Sequence, residues 1–281
     1  MKKIKKDSYL LALSIFSFGG TIISALGISM KDVLPLSGTN KYVAISIRFF
    51  CIVAICVTIF YLCLFLFRSI YKKGLNITIG GNCVSIRSGD IFKESGLRVI
   101  PVDTCFQTTV DDKIIARKTL HGQLVLQHGN ADFIKHVVDS EAKRRKIKKG
   151  MDGNYSFEFG TAIPYDGKDG KYIMVALIEL DSRHEAHTNT AQFENTLINV
   201  WHEISRVYAQ NPVILPVFGS GIARFDDTHY SAEQLVIIML RMLKRSKVQI
   251  KSKITIVLHS NDEVETILSL YEHKRFFELL R

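Results

Sequence analysis

The chain has no CxxC pair and no Cys/His spacing that would hold a metal. That sets aside zinc-ribbon and thioredoxin-like redox chemistry. Its five cysteines are scattered: Cys51, Cys56 and Cys63 lie inside an apolar run, and Cys83 and Cys105 lie in or beside expected strands. Such usage fits a reducing compartment and not a disulfide framework. No internal repeat and no low-complexity linker occurs. The single strong charge run, Lys143 to Lys149, lacks interleaved aromatics and any accompanying nucleic-acid motif, so no nucleic-acid partner is expected. That run either solvates a helix end or faces an anionic leaflet. Beyond residue 67 no further apolar stretch is long enough to cross a bilayer.

Two such stretches stand at the start. Ser8 to Met30 carries no charge until Lys31, and Tyr42 to Phe67 carries only Arg48. A helix needs about 20 apolar residues to cross the hydrocarbon core. Both runs meet that length, and the short, turn-rich segment 31–41 between them predicts an antiparallel hairpin. A cleaved signal peptide is not expected, because its apolar core runs to only about 7–15 residues. Lys2, Lys3, Lys5 and Lys6 precede the first run, and Arg68, Lys72 and Lys73 follow the second. This basic bias predicts a multi-pass protein of the inner membrane with both ends cytoplasmic. The net charge of +10 over 281 residues is concentrated partly there. The division expected is 1–74 as a membrane region, with spans at about 8–30 and 43–67, and 75–281 as one soluble domain.

The soluble part alternates strand and helix patterns. Asn76–Gly80 and Cys83–Arg87 alternate apolar and polar residues, as half-buried strands do. Leu97–Val102, Tyr155–Phe159, Tyr172–Leu180, Val213–Phe218 and Ile254–His259 read as further strands. Tyr172–Leu180 is apolar enough to be central and covered on both faces. Helices are expected at Asp132–Lys149, Thr190–Gln210 and Ser231–Lys244, with a last one after Ser260. Ser231 with Gln234, and Ser260 with Glu263, have capping-box spacing. The rhythm implies an α/β layered domain with a mixed, partly parallel sheet.

Three strand ends carry candidate chemistry. Val213–Phe218 runs into Gly219-Ser220-Gly221-Ile222 and then Arg224. Glycines at the carboxyl end of a strand let backbone N–H groups approach phosphate oxygens, Ser220 adds a hydroxyl, and Arg224 adds charge. A tight strand-to-helix loop is the plainer reading of the same residues. Asp90 and Ile91 follow an early strand; the carboxylate suits an exocyclic amine, although Gly-Asp is also ordinary turn chemistry. Asp103, Thr104 and Cys105 end the next strand, with His121, Gly122 and Gln123 downstream. His121 has the chemistry of a base, but no nucleophile or orienting partner is readable beside it. Arg183, His184 and His187 follow the central strand and either line the site or sit on a surface loop.

The order Asp90-Ile91, Asp103-Thr104, Gly219 to Ile222 resembles that of a macro domain, the three-layer α/β fold that binds ADP-ribose. More closely, it resembles the divergent macro domain of membrane-anchored effectors of type II Thoeris antiphage systems, which also carry a two-helix anchor. The resemblance implies that Asp90 contacts the adenine amine and Ile91 backs the ring. Gly219, Ser220, Gly221 and Ile222 would wrap the diphosphate. Asp103, Thr104, His121, Gly122 and Gln123 would border the distal ribose or its substituent. It implies a signal made from NAD by a TIR-domain partner, a histidine conjugate of ADP-ribose, whose binding drives self-assembly and membrane damage. It implies neither cofactor nor catalysis. Hydrolytic macro domains carry asparagine and a glycine-rich loop where this chain has Asp103 and Thr104, which favours a reader; a membrane-tethered ADP-ribosyl hydrolase is the alternative.

Overall fold

The computed structural model describes residues 2–25, 40–72, 74–151, 153–180, 186–221, 224–259 and 267. The chain divides into two compact units, Met1–Lys73 and Gly74–Arg281.

The first unit contains helices α1 (Lys2–Ala25) and α2 (Lys41–Lys72). They pack on each other, burying Ser8 and Ala12 of α1 and Ala44, Cys63 and Leu64 of α2. Much of the remaining apolar surface is exposed, including Phe49, Phe50, Tyr61 and Phe65. Among the described residues only Lys41–Leu66 is long and apolar enough to cross a membrane, and the apolar part of α1, Ser8–Ser24, falls short. Of the two expected spans, the second is met among the described residues and the first is not confirmed. The rest of the first run and the loop after it, residues 26–39, lie outside the described residues.

The second unit is built on a mixed sheet of β1 (Leu75–Ile79), β2 (Asn82–Ser88), β3 (Leu97–Asp103), β4 (Ala162–Gly167), β5 (Gly170–Leu180), β6 (Ala186–Thr188), β7 (Val213–Pro216), β8 (Arg224–Phe225) and β9 (Ile254–Leu258). Its order is β1-β2-β9-β7-β3-β5-β6-β8, with β4 also paired to β5. Strands β2, β9, β7, β3 and β5 run parallel; the β1–β2, β4–β5 and β5–β6 pairs are antiparallel.

Side chains in a strand alternate between faces, and this alternation builds two cores. Leu97 and Val99 of β3, Ile173, Val175 and Leu177 of β5, and Val213 and Leu215 of β7 pack with helices α5 (Thr190–Val207) and α6 (Ala232–Ser246). The intervening Ile100, Val102, Tyr172, Met174, Ala176 and Ile214 pack with α4 (Ala131–Arg145) and with Phe106, Leu124 and Phe157. The central strand β5 is covered on both faces, as its unbroken apolar run requires. Three layers and a mixed sheet are thus realised.

Local signals held where they were chemical. Ser231 caps α6, its Oγ accepting from the Gln234 N–H at 3.4 Å while Gln234 Oε1 accepts from the Ser231 N–H at 2.8 Å. Two expectations fail. The strand expected at Tyr155–Phe159 does not form; within it only Phe157 is buried, and its N–H bonds the Thr104 carbonyl at 2.9 Å. The helix expected through Lys149 stops at Arg145, because Lys146 turns left-handed at φ 59° and the Ile147 N–H bonds the Ala142 carbonyl at 2.9 Å. Strand β4, with Pro164 inside it, was not foreseen. The Ser260–Glu263 cap lies outside the described residues.

Candidate functional site

The five parallel strands all end along one edge of the sheet, and loops beyond the carboxyl ends of such strands are where ligands bind. Sheet order places the segments after β2, β9, β7 and β3 side by side. Asp90, Gly219–Gly221 and Asp103–Thr104 therefore share one edge. The Gly89 N–H bonds the Leu258 carbonyl at 3.1 Å, fastening the β2 exit to the end of β9.

Asp90 caps a single turn, Ile91–Lys93; its Oδ1 accepts from the Phe92 N–H at 3.1 Å and its Oδ2 lies 3.2 Å from Lys93 Nζ. Half of the carboxylate surface stays open to solvent, while Ile91 is buried. Turn chemistry and an outward acceptor coexist in this residue.

The loop after β7 turns on Gly219, whose φ of +81° favours glycine. Ser220 Oγ donates to the Val217 carbonyl at 2.8 Å. The hydroxyl proton expected for a ligand thus tightens the turn, leaving the oxygen lone pairs. Gly221 is exposed, and a Cβ placed on it would meet nothing within 4 Å. Ile222 lies outside the described residues, and only the backbone of Arg224 is described, in β8 beside His187. Arg183 and His184 are also outside them.

The β3 exit differs most from its sequence reading. Asp103 is buried, and its carboxylate is occupied by the loop that it starts: Oδ1 accepts from the Cys105 N–H at 2.8 Å, and Oδ2 accepts from the Gln107 N–H at 3.2 Å. Phe106 between them is left-handed at φ 52°, its ring buried edge-on against Phe157 at 5.0 Å. Thr104 is buried, its N–H bonded to the Ile178 carbonyl. His121, also buried, sets Nδ1 3.8 Å from Asp103 Oδ2. Burial pushes its pKa down, with the Asp103 charge and a bond to the Gln107 backbone pulling the other way. The neutral imidazole is favoured. The charged neighbour of His121 is Asp103, 18 positions upstream, while its hydrogen bond goes to the Gln107 backbone; no spacing rule signals either.

Gly122 is the third residue of α3 (Leu120–Gln123), which Thr119 caps by accepting the Gly122 N–H at 3.0 Å. A Cβ on Gly122 would lie 2.4 Å from the Ala116 carbonyl oxygen, so only glycine lets the loop close. Gln123 Nε2 donates to the Lys118 carbonyl at 3.0 Å. Residues 121–123 therefore shape the loop wall. A separate cavity of about 280 Å³, lined by Leu97, Phe133, Tyr165, Tyr172 and Asn211, opens at the opposite edge and uses none of these residues.

A family model described as Thoeris protein ThsA, Macro domain, matches residues 84–259. Thoeris protein ThsA of Bacillus amyloliquefaciens (strain Y2) is 29% identical over 221 residues, which cover 74% of this chain and 72% of that protein. Solved structures similar to the chain include an Oceanobacillus iheyensis macrodomain with ADP, at 14% identity and TM-score 0.49 over 71% of this chain and 95% of that one. A glycine-to-valine variant of the same macrodomain with ADPR, also at 14% identity and TM-score 0.49, covers 71% of this chain and 97% of that one.

Proposed function

The chain belongs to the Thoeris ThsA macro-domain family, and from that premise we propose that it is an antiphage effector whose macro domain reads an ADP-ribose-derived signal. The observation carrying this reading is the open glycine loop at the β7 exit, where Gly221 leaves backbone approachable by a diphosphate. Asp90 and Ile91 would take the adenine, and the Asp103–Gln123 wall would border the distal ribose. The signal we assign is histidine-ADP-ribose, made by a TIR-domain partner.

A reader rather than a hydrolase is supported by the β3 exit. The Asp103 carboxylate is spent on the Cys105 and Gln107 amides of its own loop, so it does not stand free as a general base. The output is assigned to the apolar helices: anchored in the inner membrane as a hairpin with both ends cytoplasmic, they would cluster when the signal assembles the domains, and so breach the bilayer.

The test is calorimetry on the full chain in detergent micelles, titrated with ADP-ribose and with its histidine conjugate. We expect micromolar or tighter binding of the conjugate. Because the Gly221 Cβ has open space, Gly221→Ala should fold and bind. Gly221→Glu should fold yet lose binding, since it sets a carboxylate against the diphosphate. Absence of binding to either compound overturns the reading, and release of free ADP-ribose from the conjugate would establish the hydrolase instead.

A further inference from the structure

The sheet has exposed strand edges, and they are not treated alike. An unpaired edge presents free N–H and C=O groups that template pairing with another chain, and proteins blunt such edges with short strands, charges or proline. The β8 edge is two residues long and begins on Arg224. The outer edge of β4 carries Pro164 and Asp166, both exposed. Strand β1, at the other end of the sheet, has none of these devices. Its five residues, Leu75-Asn76-Ile77-Thr78-Ile79, hold no charge and no proline, in a chain of net charge +10.

The hairpin geometry shows which backbone groups are free. Gly80 and Gly81 both have positive φ, +55° and +84°, and join Ile79 directly to its partner Asn82. In such a two-residue turn the flanking residues form a hydrogen-bonded pair, and hydrogen-bonded pairs alternate along an antiparallel ladder. Ile79, Ile77 and Leu75 therefore spend their backbone groups on β2. Asn76 and Thr78 direct theirs outward, and among the described residues nothing pairs with them. Their side chains are exposed, while Leu75, Ile77 and Ile79 are buried in the core beneath the sheet.

We infer that β1 is a docking edge for β1 of a second copy of this chain, joining two sheets antiparallel across a two-fold axis at Ile77. The occupant follows from self-complementarity. Centring the pairing on Ile77 sets Asn76 opposite Thr78 of the second copy and Leu75 opposite its Ile79, so that every outward N–H and C=O finds a partner and like charges never meet. A two-fold contact uses the same patch on both subunits, as this register does. Copies held in one bilayer would meet at raised effective concentration, a contribution that rests on the membrane reading above.

The test is register-specific cross-linking of the full chain in lipid vesicles. Cys83 is exposed opposite Thr78 within the same hairpin, so the background is Cys83→Ser. Chains with Asn76→Cys are mixed with chains carrying Thr78→Cys and treated with a thiol oxidant, with and without histidine-ADP-ribose. A hydrogen-bonded pair places Cα atoms about 5.5 Å apart, within disulfide reach. The mixture should give a covalent dimer several-fold above either variant alone. Thr78→Pro removes only an outward N–H, leaving the ladder to β2 intact, and should cut self-association at least tenfold while signal binding persists. No excess cross-linking in the mixture, or association unchanged by Thr78→Pro, overturns the docking edge. Loss of signal binding in the parent chain would instead count against the function proposed above.

Discussion

Replacing Asp103 by alanine should free the loop that follows β3 without dismantling the sheet. The buried carboxylate accepts the Cys105 and Gln107 N–H groups at 2.8 and 3.2 Å. A hydrogen bond to a charged group contributes about 1.5–3 kcal/mol net. Two of them, less what water recovers once the loop opens, give on the order of 3 kcal/mol. The loop also holds Phe106 left-handed, a conformation costing about 1 kcal/mol or more that persists only where surroundings enforce it. About 3 kcal/mol corresponds to roughly a hundredfold faster amide exchange if opening is local, and to about 6–12 °C in melting temperature if the whole domain feels it. Hydrogen-exchange mass spectrometry on the peptide covering residues 103–119, with a thermal melt alongside, separates the two outcomes. Asp103→Asn keeps one acceptor oxygen and turns an amide toward the other donor, so it should fall about midway. Signal affinity should track loop protection across the series. If Asp103→Ala leaves both exchange and melting unchanged, the carboxylate is not the clasp of this loop, and its role must be sought in direct ligand contact.

Two further outcomes follow from buried groups. His121 has a pKa pushed down chiefly by burial, so below its ordinary value of about 6.5 the unfolded chain takes up a proton that the folded one resists. Stability should therefore fall as pH drops from about 6.5 to 5.5, and His121→Gln should flatten that slope in melts at the two pH values; an unaltered slope assigns it to another group. Trp201 is fully buried and donates its Nε1–H to the Met239 carbonyl at 3.2 Å. Trp201→Phe loses that bond and leaves a void, at about 2 kcal/mol, or about 4–8 °C in a domain of this size. A shift below 2 °C would show that the α5–α6 contact repacks around the smaller ring.

Patterns with a local cause were legible. Tyr172 to Leu180 is apolar because both of its faces are covered, and the Ser231–Gln234 box needs only four neighbouring residues. The failures have non-local causes. Residues 155–159 alternate like a strand, yet among the described residues the Phe157 N–H to Thr104 bond is no part of a ladder. Strand β4 was hidden by Pro164, which an antiparallel edge beside β5 tolerates. The basic run 143–149 is expected to continue the helix, but the chain turns at left-handed Lys146, with Ile147 partly buried against the core.

The candidate site divides the same way. Glycine at 219 and 221 and acid at 90 are properties of residue type, and they mark the edge in sequence alone. The surroundings of Asp103 are decided elsewhere: β3 sits between β7 and β5, α3 packs against its end, and the buried carboxylate clasps its own loop and neighbours His121. By itself the sequence determined where apolar surface must be hidden, because hydropathy and period act over a few residues: two apolar runs ahead of an alternating domain, and strands ending in glycine and acid. Only the tertiary structure decided which strand ends become neighbours, which carboxylate is spent and which strands end the described sheet, because those depend on pairings between segments many positions apart.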